Sequence, residues 1–439
     1  MRIRVLVAVI FGLLVGEPAA AQILPIPPGW QMERAILLSR HGVRSPIKSN
    51  EELDRHVATP WPVWPVPSGF LTPHGAELMR LMGGYYRVLY GGRGLMEAAI
   101  CPPPNTLAAW ADIDQRTRLT GAAVLNGMYP GCANPLLRNQ DDFSVPDPLF
   151  HPQPTPSCPM DPAANRAAVL ARIGGNFDSV LREYAPQLKL MQAALCPPGQ
   201  SAPQTSSGRY CGLPSEPPGV EVGSRGGVTI SGPIGMGSTA AENFLLESAE
   251  GMPSSQVAWG RLSGDAELQE LLKIHRLEFD LAHKTLAVAR QRGSNLMAQI
   301  VASLQDGHKF PGLKALAEPV RLGVLVGHDT NIANVSRLLN VGWQIPGFQP
   351  NEASPGGALA FELLREVRTG RRYVRLAYYA QTLEQMRKSQ VLDFERPPGM
   401  VAVVLPSCAS DSHEKACPLE RFVAIANEAI DPACVTIKP

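Results

Sequence analysis

The sequence predicts an α/β layer joined to a mainly helical second domain, and three observations carry that prediction. Three segments far apart in the chain share one pattern, a short apolar run that ends at once in unusual polar residues: "RAILLSRHGVRSP" (34–46), "LAAWADIDQRTRLTGAAVL" (107–125) and "RLGVLVGHDTNIANVSRLL" (321–339). In the last two a helical pattern follows the run, and buried strands alternating with helices build a sheet with helices on its faces. Between residues 161 and 282 the dominant periodicity is helical instead.

In chain order, "MRIRVLVAVIFGLLVGEPAAAQ" reads as a secretory signal peptide over residues 1–21. It has two arginines, an apolar run from Val5 to Val15 too short to cross a bilayer, and small residues before a cut between Ala21 and Gln22. Residues 22–160 are expected to form the first part of the α/β domain. Its second run, "LAAW", lacks β-branched residues and is also compatible with a helix. The proline-rich pieces "TPWPVWPVPSG" and "PDPLFHPQPTPSCPMDP" bracket that run, and the latter marks a domain crossing at 155–160. Residues 161–282 are expected to be the helical domain, on the patterns "DPAANRAAVLARIGGNFDSVLREYAPQLKLMQAAL" and "DAELQELLKIHRLEFDLAHKTLAVARQRGSNLMAQIVASLQ". "GRYCGLPSEPPGVEVGSRGG" is expected to be an exposed excursion from it. Residues 283–439 return to the α/β domain, with short runs such as "MVAVVL" rejoining the sheet.

Composition narrows the function. Forty basic against 39 acidic residues leave a formal charge of +1, which gives no basic surface for coating a polyanion, so nucleic acid is not an expected partner. No later apolar segment reaches the roughly 20 residues of a membrane span, so no anchor is expected. Eight cysteines, even in number and without a CxxC, fit an oxidising compartment, the periplasm or the outside of the cell. "CASDSHEKAC" would close a short loop between Cys408 and Cys417. The chain is expected to act as a monomer.

The polar strand ends carry the chemistry. Loops outside the carboxyl ends of such strands converge on one crevice, so distant residues can share a site. Arg40, His41 and Arg44 place an imidazole between two guanidinium groups, a cluster that repels itself unless an anion sits within it. Arginine presents a rigid fork matched to phosphate oxygens, and imidazole is a nucleophile near neutral pH because part of it is uncharged. Together they point to in-line attack by His41 on phosphorus. A charged surface turn would explain the arginines but not the similar polar sets at the other strand ends.

In "DIDQRTR", Arg116 or Arg118 supplies a further fork, and the residue types do not separate them; Asp114 caps the following helix or orients one arginine. In "GHDTN", His328 can donate to a phosphoryl oxygen. Asp329 can give a proton to the departing alkoxide and later take one from water. Neither task needs a metal. His275, Glu278 and His283 in "HRLEFDLAH" read as packing or helix-surface residues rather than metal ligands, and His74 in "LTPHG" as a cap or orienting group.

"RHGVRSP", "DIDQRTR" and "GHDTN" together resemble the histidine acid phosphatases, especially the exported bacterial phytase and glucose-1-phosphatase members. The resemblance extends through "TPHGAELMRLMGGYYR", "SVPDPLF", "ENFLLESAEGM", "QVAWG", "SPGGALAFE" and "ANEAI". It implies a phosphoglycerate-mutase-like α/β domain of mixed sheet and flanking helices plus a mostly helical domain. It also implies that His41 carries a phosphohistidine, that Arg40, Arg44, Arg116 and His328 clamp the phosphate, and that Asp329 is the general acid, with no cofactor and no metal. Four bridges follow from the same resemblance: Cys101 with Cys132, Cys158 with Cys434, Cys196 with Cys211, and Cys408 with Cys417.

The implied activity is acid phosphomonoester hydrolysis of a small-molecule substrate, that of a phytase acting on inositol hexakisphosphate. The alternatives are a glucose-1-phosphatase or broad sugar-phosphate phosphatase, a mutase, and, in another class, a noncatalytic periplasmic phosphate-ester binding protein. Specificity cues are divided. Lys48 resembles a phytase lysine that meets outer phosphates, yet it also reads as a solvated loop charge. Thr330 follows the phytase form of its motif. Glu242 matches an acidic position at the pocket mouth, while "TAAE" from Thr239 to Glu242 also reads as a capping box. The phytase pattern has methionine where this chain has Thr239, and "QVAWG" around Trp259 leans toward the glucose-1-phosphatase branch.

Overall fold

The computed structural model describes residues 24–132, 136–138, 142–199, 211–305, 319–411 and 413–435; the leader lies outside them. Among the described residues ten strands form: β1 (Trp30–Arg40), β2 (Leu107–Ala111), β3 (Leu136–Arg138), β4 (Val220–Val222), β5 (Val228–Ile230), β6 (Leu322–Gly327), β7 (Ala358–Glu366), β8 (Arg372–Ala380), β9 (Gly399–Val403) and β10 (Ala416–Pro418). Eight of them make one mixed sheet in the order β10-β8-β7-β1-β6-β2-β3, with β9 paired to β8 off that path. β1, β6, β2 and β3 run parallel; β7, β8, β9 and β10 are antiparallel additions. All six residues of β6 are buried, as expected of a central parallel strand covered on both faces.

The parallel register positions the site. Arg40 lies opposite Gly327, and Ala111 opposite Val326, so the three strands finish side by side. One residue further on the ladder still holds: the His41 amide donates to Gly327 O at 3.0 Å and the Asp112 amide to Val326 O at 3.0 Å. His41, His328 and Asp112 therefore leave the sheet as one row. "LAAW" is strand: Leu107, Ala108 and Ala109 are buried between β3 and β6, so tertiary packing, rather than propensity, selects it.

Helices flank the sheet. Pro73–Gly92 and Gln115–Met128 cross closely on one face: a Cβ at Gly83 or Gly127 would overlap the carbonyl oxygen of Val124 or Arg80. Between β3 and β6 no described strand joins the main sheet. That stretch is helical, but in more pieces than its periodicity suggests: Pro162–Ala171, Asp178–Glu183, Ala185–Leu195, Gly232–Ala249, Asp265–Ala282 and Leu286–Leu304. The last two are separated by His283–Thr285, where the Thr285 hydroxyl turns back to Leu281 O at 2.7 Å. One apolar core runs from Ile36, Leu38 and Leu325 of the sheet into Phe244, Leu271 and Ile300 of the helices.

The expected excursion at 208–227 is corrected in its second half. β4 and β5 pair antiparallel, and Val220, Val228 and Ile230 are buried while Glu221 and Thr229 face out. Three-residue strands give too little alternation to stand out from a glycine- and proline-rich background. Among the described cysteines the disulfides are Cys101–Cys132, Cys158–Cys434, Cys196–Cys211 and Cys408–Cys417, the same pairs that the resemblance implies. Cys158–Cys434 ties the segment around 158 to the one around 434.

A buried carboxyl secures one strained turn. Glu247 is fully buried in the helix Gly232–Ala249, and its Oε2 accepts the Ala258 amide at 2.9 Å. Ala258 and Trp259 have φ of 48° and 56°, so this anchor holds backbone that non-glycine residues seldom adopt. Burial pushes the Glu247 carboxyl up to about 8 from 4.5, the amide bond opposing it only in part. A raised folded pKa stabilises most below the unfolded value and is lost as pH rises through the folded one. Melting temperature should therefore fall between about pH 5 and 8. Glu247→Gln, which keeps an acceptor for Ala258, should reduce that fall by about 2 °C or more; an undiminished fall, followed by circular dichroism, would reject this role.

Candidate active site

His41 sits at the end of β1, 2% exposed, with its Nδ1 2.8 Å from Gly42 O. A carbonyl oxygen only accepts, so Nδ1 carries the ring proton and Nε2 keeps its lone pair. Burial, then Arg116, Arg40, Arg44 and His328, lowers the pKa of the ring well below its ordinary value. The imidazole is thus a neutral base with its free nitrogen set by the backbone. The glycine after it is required by contact: a Cβ on Gly42 would press on the Gly75 carbonyl and the Met79 side chain.

The guanidinium groups around it are held by carboxylates. Arg40 is completely buried; it donates to Ala353 O at 2.8 Å through Nη1, and its Nη2 meets Glu242 Oε1 at 2.5 Å and Asp329 Oδ2 at 2.9 Å. Arg44 Nη2 meets the same Glu242 oxygen at 2.9 Å. Arg116 Nη2 lies 2.7 Å from Asp114 Oδ2 and 3.4 Å from His328 Nδ1. The Nε–H groups of Arg40, Arg44 and Arg116 are buried without an acceptor among the described residues. Donors of this kind are costly unless an anion takes them up, which is the complement a phosphate provides.

Asp329 opens the helix Asp329–Leu338, where the positive end of the helix favours its negative charge. Burial pushes its carboxyl up, but Arg40, Arg44 and His328 outweigh burial and hold it below the usual carboxylate range. Glu242 follows the same logic: burial raises it and Arg44 and Arg40 lower it further. In this state both carboxylates are ionised counterions of the arginines.

Two residues here escaped sequence reasoning. Asp112, fully buried one residue past β2, takes His328 Nε2 at 2.6 Å and His151 Nε2 at 2.8 Å on the same oxygen. Burial raises its carboxyl, but the bonds from His151 and His328 bring it well below the usual range. With Nε2–H given to Asp112, His328 can donate to a phosphate only from Nδ1, so donation requires the imidazolium. Asp112 is the group that favours that form, against burial and Arg116. Its signal was the first acid of "DIDQRTR"; His151 in "PLFHP" gave none.

Arg116, not Arg118, joins the cluster: Arg118 donates to Ile113 O at 3.0 Å and stacks on Phe143. Asp114 precedes the helix but makes no side-chain cap, being committed to Arg116. The capping-box reading of Thr239 and Glu242 is corrected. Both lie inside the helix Gly232–Ala249, where the Thr239 hydroxyl donates to Gly235 O at 3.1 Å and Glu242 reaches the arginines. Lys48 is half exposed and paired with Glu52 at 2.9 Å. Thr330, next to Asp329 in the chain, lines a cavity of about 400 Å³ with His283, Arg292 and residues of β4 and β5. His74 contacts Ala249 O at 3.2 Å, and His275 bonds Ser238 at 3.0 Å; His275, Glu278 and His283 do not gather into a metal-binding group.

Asp112→Asn keeps the shape but removes the charge that favours the His328 imidazolium. Turnover of a phosphomonoester should drop about a hundredfold. Because the substitution lowers the His328 pKa, the alkaline limb of the pH profile should move to lower pH; an unmoved limb would separate Asp112 from this task.

Residues 31–201 and 242–379 match the histidine phosphatase superfamily (branch 2). The chain is 35% identical to Phytase AppA of Escherichia coli (strain K12) over 93% of its own length and 94% of that protein. It is 29% identical to the glucose-1-phosphatase of Salmonella typhimurium, over 94% and 95% of the two chains. The Hafnia alvei phytase structure in complex with tartrate superposes with a TM-score of 0.86 at 36% identity, covering 94% of this chain and all of that one. The fold thus recurs across the matched length, and the chain belongs to the histidine phosphatase superfamily, branch 2.

Proposed function

We propose that this chain is an exported acid phosphomonoesterase that works through a phosphohistidine on His41, with inositol hexakisphosphate as its principal substrate. The observation that carries the reading is a neutral His41 with a free Nε2 among Arg40, Arg44, Arg116 and His328, with Asp329 paired to Arg40. Incoming phosphate takes the guanidinium donors. His41 Nε2 attacks phosphorus as the ester oxygen leaves, and that oxygen takes the proton of Asp329. Water then attacks the phosphohistidine, giving a proton to Asp329 and returning the Nε2 lone pair to His41.

Asp329 must be protonated to act as the acid, although Arg40 holds it ionised beforehand. A phosphate that engages Arg40 weakens this pairing and brings negative charge beside the carboxyl, and both effects raise its pKa. Mild acid completes the protonation, while the lowered pKa of His41 keeps the nucleophile neutral there. Activity should accordingly lie in the acidic range.

The phytase reading is supported by the higher identity to phytases, 35% and 36%, than to the glucose-1-phosphatases, 29% and 26%. Lys48, Thr330 and Glu242 remain its proposed outer contacts, with Arg292 added from the cavity beside Thr330. Thr239, where the phytase pattern has methionine, counts against a tight phytate pocket, and "QVAWG" around Trp259 leans toward glucose 1-phosphate, the second reading. Export is supported by four disulfides, which persist in oxidising compartments. Among the described residues no helix is long and apolar enough to cross a membrane.

Rapid mixing with a chromogenic phosphomonoester should trap an acid-labile phosphoenzyme in the parent and none in His41→Ala; equal labelling of that variant would reject the nucleophile. Asp329→Asn should slow alkyl phosphates at least about tenfold more than activated aryl phosphates, whose leaving groups need less protonation. Uniform losses across the leaving-group series would remove Asp329 as the acid. Turnover of phytate should exceed that of glucose 1-phosphate, and the reverse order would transfer the assignment to the second reading.

A further inference from the structure

Asp112, Asp114, His151 and His328 each offer one ligand atom, and the four atoms all lie within 4.8 Å of one another. We propose that they form a binding site for one zinc ion, and that zinc bound there inhibits phosphate-ester hydrolysis. The donor set is two imidazole nitrogens and two carboxylate oxygens, which suits zinc and not magnesium, an ion that prefers oxygen donors and keeps its waters.

The geometry of the four groups fits a tetrahedral ion after a small expansion. Zinc bonds of about 2.0–2.2 Å set its ligands roughly 3.4 Å apart. His328 Nε2 and His151 Nε2 now lie 2.6 and 2.8 Å from Asp112 Oδ2, and His328 Nε2 lies 3.5 Å from Asp114 Oδ2. A second observation points to a ligand independently of this clustering: Asp112 is fully buried, yet its Oδ1 has no hydrogen-bond partner among the described residues. A buried carboxylate whose Oδ2 takes both imidazoles while its Oδ1 goes unused is a costly arrangement that a cation relieves.

Access and charge also fit. The side chains of His151 and Asp114 are 32% and 37% exposed, so the ion approaches from solvent through the two outer ligands, while Asp112 and His328 form the buried floor. On binding, zinc takes the Nε2 positions of both rings, and each neutral ring then carries its one proton on Nδ1. Two carboxylates then balance its double charge. Asp114 must leave Arg116, and His328 must draw back from Asp112, so two members of the phosphate clamp move together. Inhibition follows from that displacement.

The test uses the full mature chain, stripped of metal by chelator and dialysis, and titrated with zinc chloride by calorimetry, with magnesium chloride as control. One zinc ion per chain is expected, with no heat from magnesium. His151→Asn and Asp114→Asn should each weaken zinc binding at least about tenfold, with thermal melts like the parent's. In the parent, hydrolysis of p-nitrophenyl phosphate should fall with a midpoint equal to the calorimetric dissociation constant. Absence of stoichiometric binding, or an affinity in both variants equal to the parent's, would overturn the site. Tight binding without loss of turnover would overturn the inhibition.

Discussion

The pairing of Arg40 with Glu242 and Asp329 is the constraint on which the site depends. A fully buried guanidinium has to be matched, since removing one partner of such a pair costs about 3–5 kcal/mol. Glu242 supplies a fixed counterion shared with Arg44. Asp329 supplies a second one that an incoming phosphate can relieve. The same contact that stabilises the folded chain therefore also, in the proposed mechanism, keeps Asp329 ionised until substrate arrives. A cluster of arginines held this way is assembled before binding, so little reorganisation remains when negative charge builds on the phosphoryl group.

That arrangement exists because three parallel strands end in register. β1 delivers Arg40 and His41, β6 delivers His328 and Asp329, and β2 delivers Asp112, with main-chain bonds from His41 and Asp112 continuing the ladder one residue past β1 and β2. The helix Gly232–Ala249 then lays Glu242 across the arginines from the helical cover. Sheet and cover thus meet at the charge balance of the site, and neither alone completes it.

Much of this was legible in the sequence, for physical reasons. The alternation of apolar runs and helices predicts the layer, and each run stops where a polar set begins, which is what a strand leaving a buried sheet must do. His41, Asp329 and the arginines announce themselves because clustered charge is unfavourable without a purpose. Asp112 and His151 do not, since an acid and a histidine in separate loops acquire meaning only when the fold lays both imidazoles on one carboxylate oxygen. Glu242 was seen, but its "TAAE" context suggested a helix start, whereas the helix begins earlier, at Gly232, after a hairpin too short to read. Arg116 and Arg118 could not be told apart from residue type, because a difference of two positions on a helix is settled by which face meets the sheet.

The claim that binding converts Asp329 from counterion to acid is open to direct measurement. Sulfate is a dianion that does not titrate in mild acid, so calorimetric titration of the enzyme with sulfate near pH 5, repeated in buffers of different ionisation enthalpy, counts protons taken up by the protein. The account predicts net proton uptake in the parent, smaller by up to about one proton in Asp329→Asn. Binding of sulfate with no uptake, or with uptake identical in the two proteins, would contradict it.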